Sequence, residues 1–348
     1  VSRPASITVA CALLSLGGCT TSVLIESNSD AGSDEGMQAD SETGTGTDGG
    51  SGDGDGDGDG DGDPQSFRVV VLADPHVPGP DYAGDDDSIF LARQRLLGAR
   101  DKIAAIDPPP DFAIVLGDLV HEAYGGSDLL WYMTNPNAFE DIVEILDGFP
   151  VPVYPLFGES DYDVPDSPKT LSHQIFGYFF ARDPYYSIEH LGWRFVFTNS
   201  QAGQTFDEGT LSYDPTVGSF GVSQLGWLGD QLGAGMPTVV LSHFPLFQIA
   251  NDEALDNGPY PDIEAVLAEA GDNVALMLSG HDHAWSNLPA TYPAPHVVLG
   301  ATRYDTDNFL LIEFRSDALQ FDILDLDKVQ WGTAEADTWV YDGEPMPG

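Results

Sequence analysis

Five apolar stretches in this chain each end in a residue or short motif able to ligate a metal. Asp74-Pro75-His76 follows the run 68–73, Gly117-Asp118 follows 112–116, and Gly158-Glu159-Ser160-Asp161 follows 151–157. His243 follows 238–242, and Gly280-His281-Asp282-His283 follows 274–279. Short apolar runs of this kind read as buried strands, and strands that deliver polar side chains at their carboxyl ends are how open α/β sheets build active sites. Five such deliveries in one domain predict an α/β fold whose ligands converge on a two-metal centre.

The residue types fit that chemistry. Imidazole nitrogen and carboxylate oxygen suit zinc, iron and manganese, and two ions roughly 3.5–4 Å apart can hold both the attacking and the leaving oxygen of a phosphoryl transfer. One carboxylate must then bridge the ions. Asp118 is the candidate, because Gly117 before it lets the backbone approach closely. A lone D-x-H or G-D carries almost no information; all five motifs in this order form a strong signature.

That order resembles the calcineurin-like metallophosphoesterases, whose pattern is D-x-H, G-D, G-N-H-[DE], a solitary His and G-H-x-H; the resemblance spans residues 67–321. Tyr185-Tyr186-Ser187 with Asn199-Ser200, Gln224 with Trp227-Leu228, and His243-Phe244-Pro245 resemble further segments of the family. The resemblance implies two packed mixed β-sheets flanked by helices, a four-layer α/β/β/α sandwich. It implies one metal held by Asp74, His76, Asp118 and His283, and a second held by Asp118, Glu159, His243 and His281. The ions would be two divalent or trivalent cations of manganese, iron or zinc, and the reaction hydrolysis of phosphate mono- or diesters by hydroxide held on both.

The chain departs from the family at one point. Glu159 and Ser160 stand where the family has Asn and His. Glu159 still offers oxygen, with a charge expected to tighten cation binding, whereas Ser160 is no general acid near neutral pH, a loss typically worth about 10²- to 10⁴-fold in rate. Two other residues are therefore candidates for catalytic or supporting roles. Asp161 is placed to orient a neighbour or cap a turn. His121 lies three residues after Asp118, where the related purple acid phosphatases place a metal-binding Tyr, so it is expected near the first metal as a ligand or behind one. His173 is a weaker candidate. His190 and His296 lie outside every motif and read as surface or core residues.

The first 65 residues read differently. Residues 1–18 resemble a secretory signal with Arg3 as its one charge and an apolar run at 7–16, and Leu16-Gly17-Gly18-Cys19 resembles a bacterial lipobox, which predicts lipidation at Cys19. Residues 19–65 are dominated by Ser, Gly, Asp, Glu and Thr, ending in alternating Gly and Asp, a composition that reads as a disordered acidic tether. The expectation is an exported, membrane-anchored lipoprotein, periplasmic or on the cell surface, with a phosphoesterase domain at 66–342 and a tail at 343–348.

Charge narrows the substrate. Of 57 acidic residues, 13 precede residue 66, leaving 44 against 11 Lys and Arg in the remainder. Such a surface disfavours long nucleic acid and leaves small phosphoesters as the expected substrates. No basic residue sits beside a motif, so substrate charge is expected to be met by the metals. Loops at 78–86, 120–135, 202–218 and 244–261 are placed to shape the pocket, with Trp131, Tyr132, Phe247 and Tyr260 as aromatic candidates. Helices are predicted at 87–106, 137–146, 171–181, 223–232 and 262–270, and late strands at 296–299, 308–314, 319–324 and 338–341. The competing reading is a surface binding protein that keeps the metals and, lacking the motif His, turns over little or nothing.

Overall fold

In the strand Ser66–Leu72, Val70 and Leu72 face one side and Phe67, Val69 and Val71 the other, and all five are buried. A strand buried on both faces needs cover on both, which makes its sheet an inner layer. The computed structural model describes residues 65–324 apart from 122–124, 163, 165–166, 234, 251–260, 289–293 and 317–319. The expected signal at 1–18, lipidated Cys19, the tether as far as residue 64, Tyr260, the strand at 338–341 and the tail at 343–348 lie outside the described residues.

Two mixed sheets form the centre. The first runs in the order Phe321–Leu324, Phe309–Arg315, Ser66–Leu72, Phe112–Leu116, Val153–Leu156, with the last three mutually parallel and the first two antiparallel additions. The second runs Ser286–Leu288, His296–Val298, Val274–Ser279, Thr238–Ser242, Trp193–Phe197, Tyr186–His190; its inner four strands are parallel and its edge strands antiparallel.

Phe67, Val71, Ile114 and Leu116 of the first sheet meet Trp193, Phe195, Phe197, Leu241 and Leu278 of the second in one core. Helices Ala92–Ile103, Ala138–Asp147 and Lys169–Phe180 cover the far face of the first sheet through Leu96, Ile103, Ile142 and Phe176. Gly221–Leu232 and Pro261–Ala270 cover the far face of the second, where Leu228, Leu232, Ile263 and Leu267 pack on Val196, Val240 and Met277. The layers are therefore α/β/β/α, as the family resemblance implied.

Two local expectations need correction. The single helix expected at 87–106 is two, Asp87–Phe90 and Ala92–Ile103, because Leu91 at φ −94° and ψ −3° closes a turn between them. The stretch 120–135 is not wholly loop. It contains a helix at Leu129–Thr134, capped by Asp128, whose carboxylate accepts from the Trp131 amide at 3.0 Å. Six residues are too few to show a helical period, and what holds them is Tyr132, buried against Phe139. Trp131 and Tyr132 thus anchor this segment.

Asn137 joins that segment to the next helix. Its carbonyl oxygen accepts from the amides of Phe139 (3.0 Å) and Glu140 (3.2 Å), while its amide nitrogen donates to the carbonyls of Tyr132 (2.9 Å) and Asn135 (2.8 Å). Asn137→Ala removes a helix cap and strands buried carbonyls, for an expected loss of about 2 kcal/mol. The check is a lower denaturant midpoint at unchanged slope.

Candidate metal centre

The ligand loops are sewn together by backbone hydrogen bonds before any side chain is considered. His76 N–H donates to the Asp118 carbonyl at 2.9 Å and Val77 N–H to that of Leu119 at 3.0 Å, and Val77–Pro78 pairs in parallel with Val120–His121. Gly280 N–H donates to the His243 carbonyl at 3.0 Å, joining the loops of the second sheet. Close approach forces glycine at the crossings. A Cβ on Gly117 (φ +77°) would lie 2.5 Å from His243 Nδ1, and one on Gly158 would lie 2.1 Å from Asp118 Oδ1.

The ligand residues adopt backbone conformations that side chains ordinarily avoid. Asp74, His76, Asp118, His281 and His283 all have positive φ, between 45° and 70°. Left-handed backbone at five non-glycine positions costs on the order of 1 kcal/mol or more each, and such strain collects at functional sites. It turns each side chain back over the strand ends.

The structure brings all seven predicted ligands together in two groups. Asp74, His76, Asp118 and His283 form one, and Glu159, His243 and His281 the other. His76 Nε2 is 3.1 Å from His283 Nε2, and His283 Nε2 is 3.4 Å from Asp74 Oδ1. In the second group His243 Nε2 lies 2.5 Å from Glu159 Oε2, and His281 Nδ1 2.9 Å from Glu159 Oε1. Asp118 spans both, with Oδ2 3.2 Å from His76 Nε2 and Oδ1 3.4 Å from His243 Nε2.

The electrostatics call for a cation. Burial, reinforced by the charge of Glu159, pushes Asp118 up to about 7. Burial alone would raise Glu159 as well, but His243 beside it outweighs that and holds it well below the usual carboxylate range. Burial would lower His243, yet Asp118 and Glu159 together keep it well above an ordinary imidazole. His76 moves down, through burial and then through His283. Three carboxylates packed against imidazoles in this way form an arrangement whose charge a metal ion would balance.

The donor set fits such an ion. His243 Nδ1 donates to the Leu116 carbonyl at 2.7 Å, which leaves Nε2 as the lone-pair nitrogen. Nε2 and Glu159 Oε2 are both buried without a hydrogen-bond partner among the described residues, close together but not aligned as a hydrogen bond. Mixed imidazole and carboxylate donors suit zinc, iron or manganese.

The remaining candidates sit around this cluster. Asp161 is fully buried, and its carboxylate accepts from the backbone amides of Leu119 (2.9 Å), Val120 (3.1 Å) and Gly158 (2.8 Å), tying the Asp118 loop to the Glu159 loop. Ser160 donates twice to Asp118, from its amide to Oδ1 (2.8 Å) and from its hydroxyl to Oδ2 (2.9 Å). His121 lies edge-on to His76 with ring centroids 5.7 Å apart, outside both ligand groups. His173 is held by the Tyr162 hydroxyl at 2.6 Å, and burial lowers it to about 4. His296 is buried against Ser279, and His190 packs on Phe67.

The structure also brings in a residue that no motif flagged. A basic side chain does approach the centre: Arg303, whose amide donates to the Asp74 carbonyl at 3.3 Å. Its position depends on the parallel pairing of His296–Val298 with Val274–Ser279, which carries the following turn to the ligand end of the sheet. No spacing from a motif in the sequence signals it.

Comparison with known proteins agrees with this architecture. The family model described as calcineurin-like phosphoesterase matches residues 67–285. A dimetal phosphatase from Danio rerio superposes with a TM-score of 0.50 at 16% identity, covering 72% of this chain and 93% of that one. GAP50, the anchor in the inner membrane complex of Plasmodium, gives 0.48 at 13% identity, covering 81% and 99%. At these identities the likeness is one of fold. No curated protein matches the chain.

Two outcomes follow from the geometry. Asp118 and His243 must each shed a proton to ligate, so affinity for manganese should fall as pH drops, by roughly tenfold per pH unit for each displaced proton, with the Asp118 proton entering below about 7; competition titration at pH 6 and 8 measures this. Asp161→Asn replaces an acceptor by a donor against buried amides, and should cost about 3 kcal/mol, seen as a lower unfolding midpoint together with reduced metal retention.

Proposed function

Because the chain belongs to the calcineurin-like phosphoesterase family, we propose that it is a metal-dependent hydrolase of small phosphoesters. Asp74, His76, Asp118 and His283 would hold one cation, and Asp118, Glu159, His243 and His281 the other. The observation that carries this reading is Asp118, one carboxylate facing both ligand groups. When bound, such a pair of ions supplies Lewis-acid stabilisation of charge on the phosphoryl group and a nucleophile drawn from water.

The chain's own residues do the positioning. Leu116 fixes the tautomer of His243, Asp161 locks the two central loops, and Ser160 pins both oxygens of Asp118. Because the Ser160 hydroxyl is engaged with Asp118, and serine is no acid near neutral pH, the leaving oxygen departs without help from this position. Esters with good leaving groups are therefore favoured. The same observation supports a second reading, a metal-binding surface protein with little turnover.

Location belongs to the proposal too. The signal-like residues 1–18 and the Leu16-Gly17-Gly18-Cys19 motif support export with lipidation at Cys19, and the acidic composition of 19–65 suits a tether. The acidic balance of the domain supports small phosphoesters over long nucleic acid.

The test is metal content of the purified protein together with hydrolysis of mono- and bis-p-nitrophenyl phosphate in manganese. Two metals per chain with turnover that falls about 100-fold or more in Asp118→Asn supports the hydrolase. Ser160→His should then raise rates on poor leaving groups by roughly 10²- to 10⁴-fold. Two metals without turnover favours the binding protein, and a chain that takes up no metal rejects both.

A further inference from the structure

Arg303 brings a guanidinium to the edge of the metal centre on a turn that is fixed from several sides. Thr302 N–H donates to the Ala73 carbonyl at 2.8 Å, and Arg303 N–H to that of Asp74. Asn308 closes the turn, its Nδ2 donating to the Ala301 carbonyl at 2.9 Å and its Oδ1 accepting from the Trp285 indole at 3.2 Å. Arg95 donates to the Arg303 carbonyl from behind. A side chain carried on such a support is held in place at little further entropic cost.

The guanidinium itself is lightly committed. It lies over the Tyr304 ring, 4.7 Å from the centroid, and one terminal nitrogen donates to the Tyr304 hydroxyl at 2.7 Å. Tyr304 in turn stands beside His283, with ring centroids 5.8 Å apart. Arg303 Nε is buried without a hydrogen-bond partner among the described residues. Arg68, Arg93, Arg100, Lys102, Arg194 and Arg315 each pair with a carboxylate. Arg303 pairs with none among the described residues, although the domain is strongly acidic. Its charge is felt at His76 and at Asp86, which places it within electrostatic reach of the first ligand group.

We propose that Arg303 is the anion-binding residue of this centre, taking the non-reacting oxygens of the substrate phosphoryl group and so favouring phosphate monoesters over diesters. A guanidinium offers five donors in a planar fork that matches two oxygens of a phosphate, and only one of those donors is taken by Tyr304. A monoester presents more charge and more free oxygens to that fork than a diester does. The inference rests on the hydrolase reading above and adds to it a protein contact for the phosphoryl group.

The test uses the full chain loaded with manganese, with inorganic phosphate as the probe. Arg303→Gln should weaken phosphate binding, measured by calorimetry, by roughly 10- to 100-fold. It should raise KM for mono-p-nitrophenyl phosphate by a similar factor, raise KM for the bis ester only a few-fold, and leave metal content at saturating manganese unchanged. Arg303→Lys keeps the charge without the fork and should fall between. Should Arg303→Gln lose metal or fail to fold, Arg303→Lys carries the comparison, and a phosphate affinity within twofold of wild type overturns the inference. Metal-loaded, active variants that bind phosphate as wild type does overturn it while the hydrolase reading stands. A wild-type chain that holds two metals yet neither hydrolyses esters nor binds phosphate overturns both.

Discussion

Three carboxylates, Asp74, Asp118 and Glu159, share one nearly water-free space, and most of what surrounds them is explained by that crowding. Like charges this close, away from water, repel strongly enough to favour a proton or a cation among them, as the raised Asp118 shows. The surroundings answer with donors. Two hydrogen bonds from Ser160 reach Asp118, the His281 amide reaches both oxygens of Asp74 at 3.1 and 3.2 Å, and four imidazoles line the remaining space. The set remains short of positive charge, and the family to which the chain belongs meets that need with metal ions.

The two sheets set where this happens. Every predicted ligand follows the carboxyl end of a parallel strand: four residues after three strands of the first sheet, and three after two strands of the second. Arg303 follows the same rule, on the turn after the parallel strand His296–Val298. The strands at Phe309–Arg315 and Tyr186–His190 run the other way, end at the opposite edge and contribute no ligand. Parallel strands bring their carboxyl ends to one edge, so these two sheets gather the loops after seven parallel strands. The shared core from Phe67 to Leu278 holds the edges in register.

The ligand set was legible in the sequence because each member sits at the junction between an apolar run and a polar motif, and that junction survives in one dimension. The four layers were implied by the family resemblance and permitted by the pattern, since strands such as Phe112–Leu116, buried at every position, require cover on both sides. Features that depend on three-dimensional closure were hidden. Arg303 lies twenty residues beyond His283, and only the pairing of its preceding strand returns it to Asp74. The helix at Leu129–Thr134 is too short to show a period and is held by Tyr132 in the core. The three amides that meet at Asp161 come from two separate loops, so its sequence neighbours reveal only that a turn is present.

The left-handed backbone at five of the ligands bears on how ions come and go. Because the loops are bonded to each other and to the sheet ends, the conformational strain is carried by the sandwich whether or not a cation is present. A cation held here would meet donors already facing one another, on loops whose backbone is fixed beforehand, so little of its binding energy would go into ordering the chain.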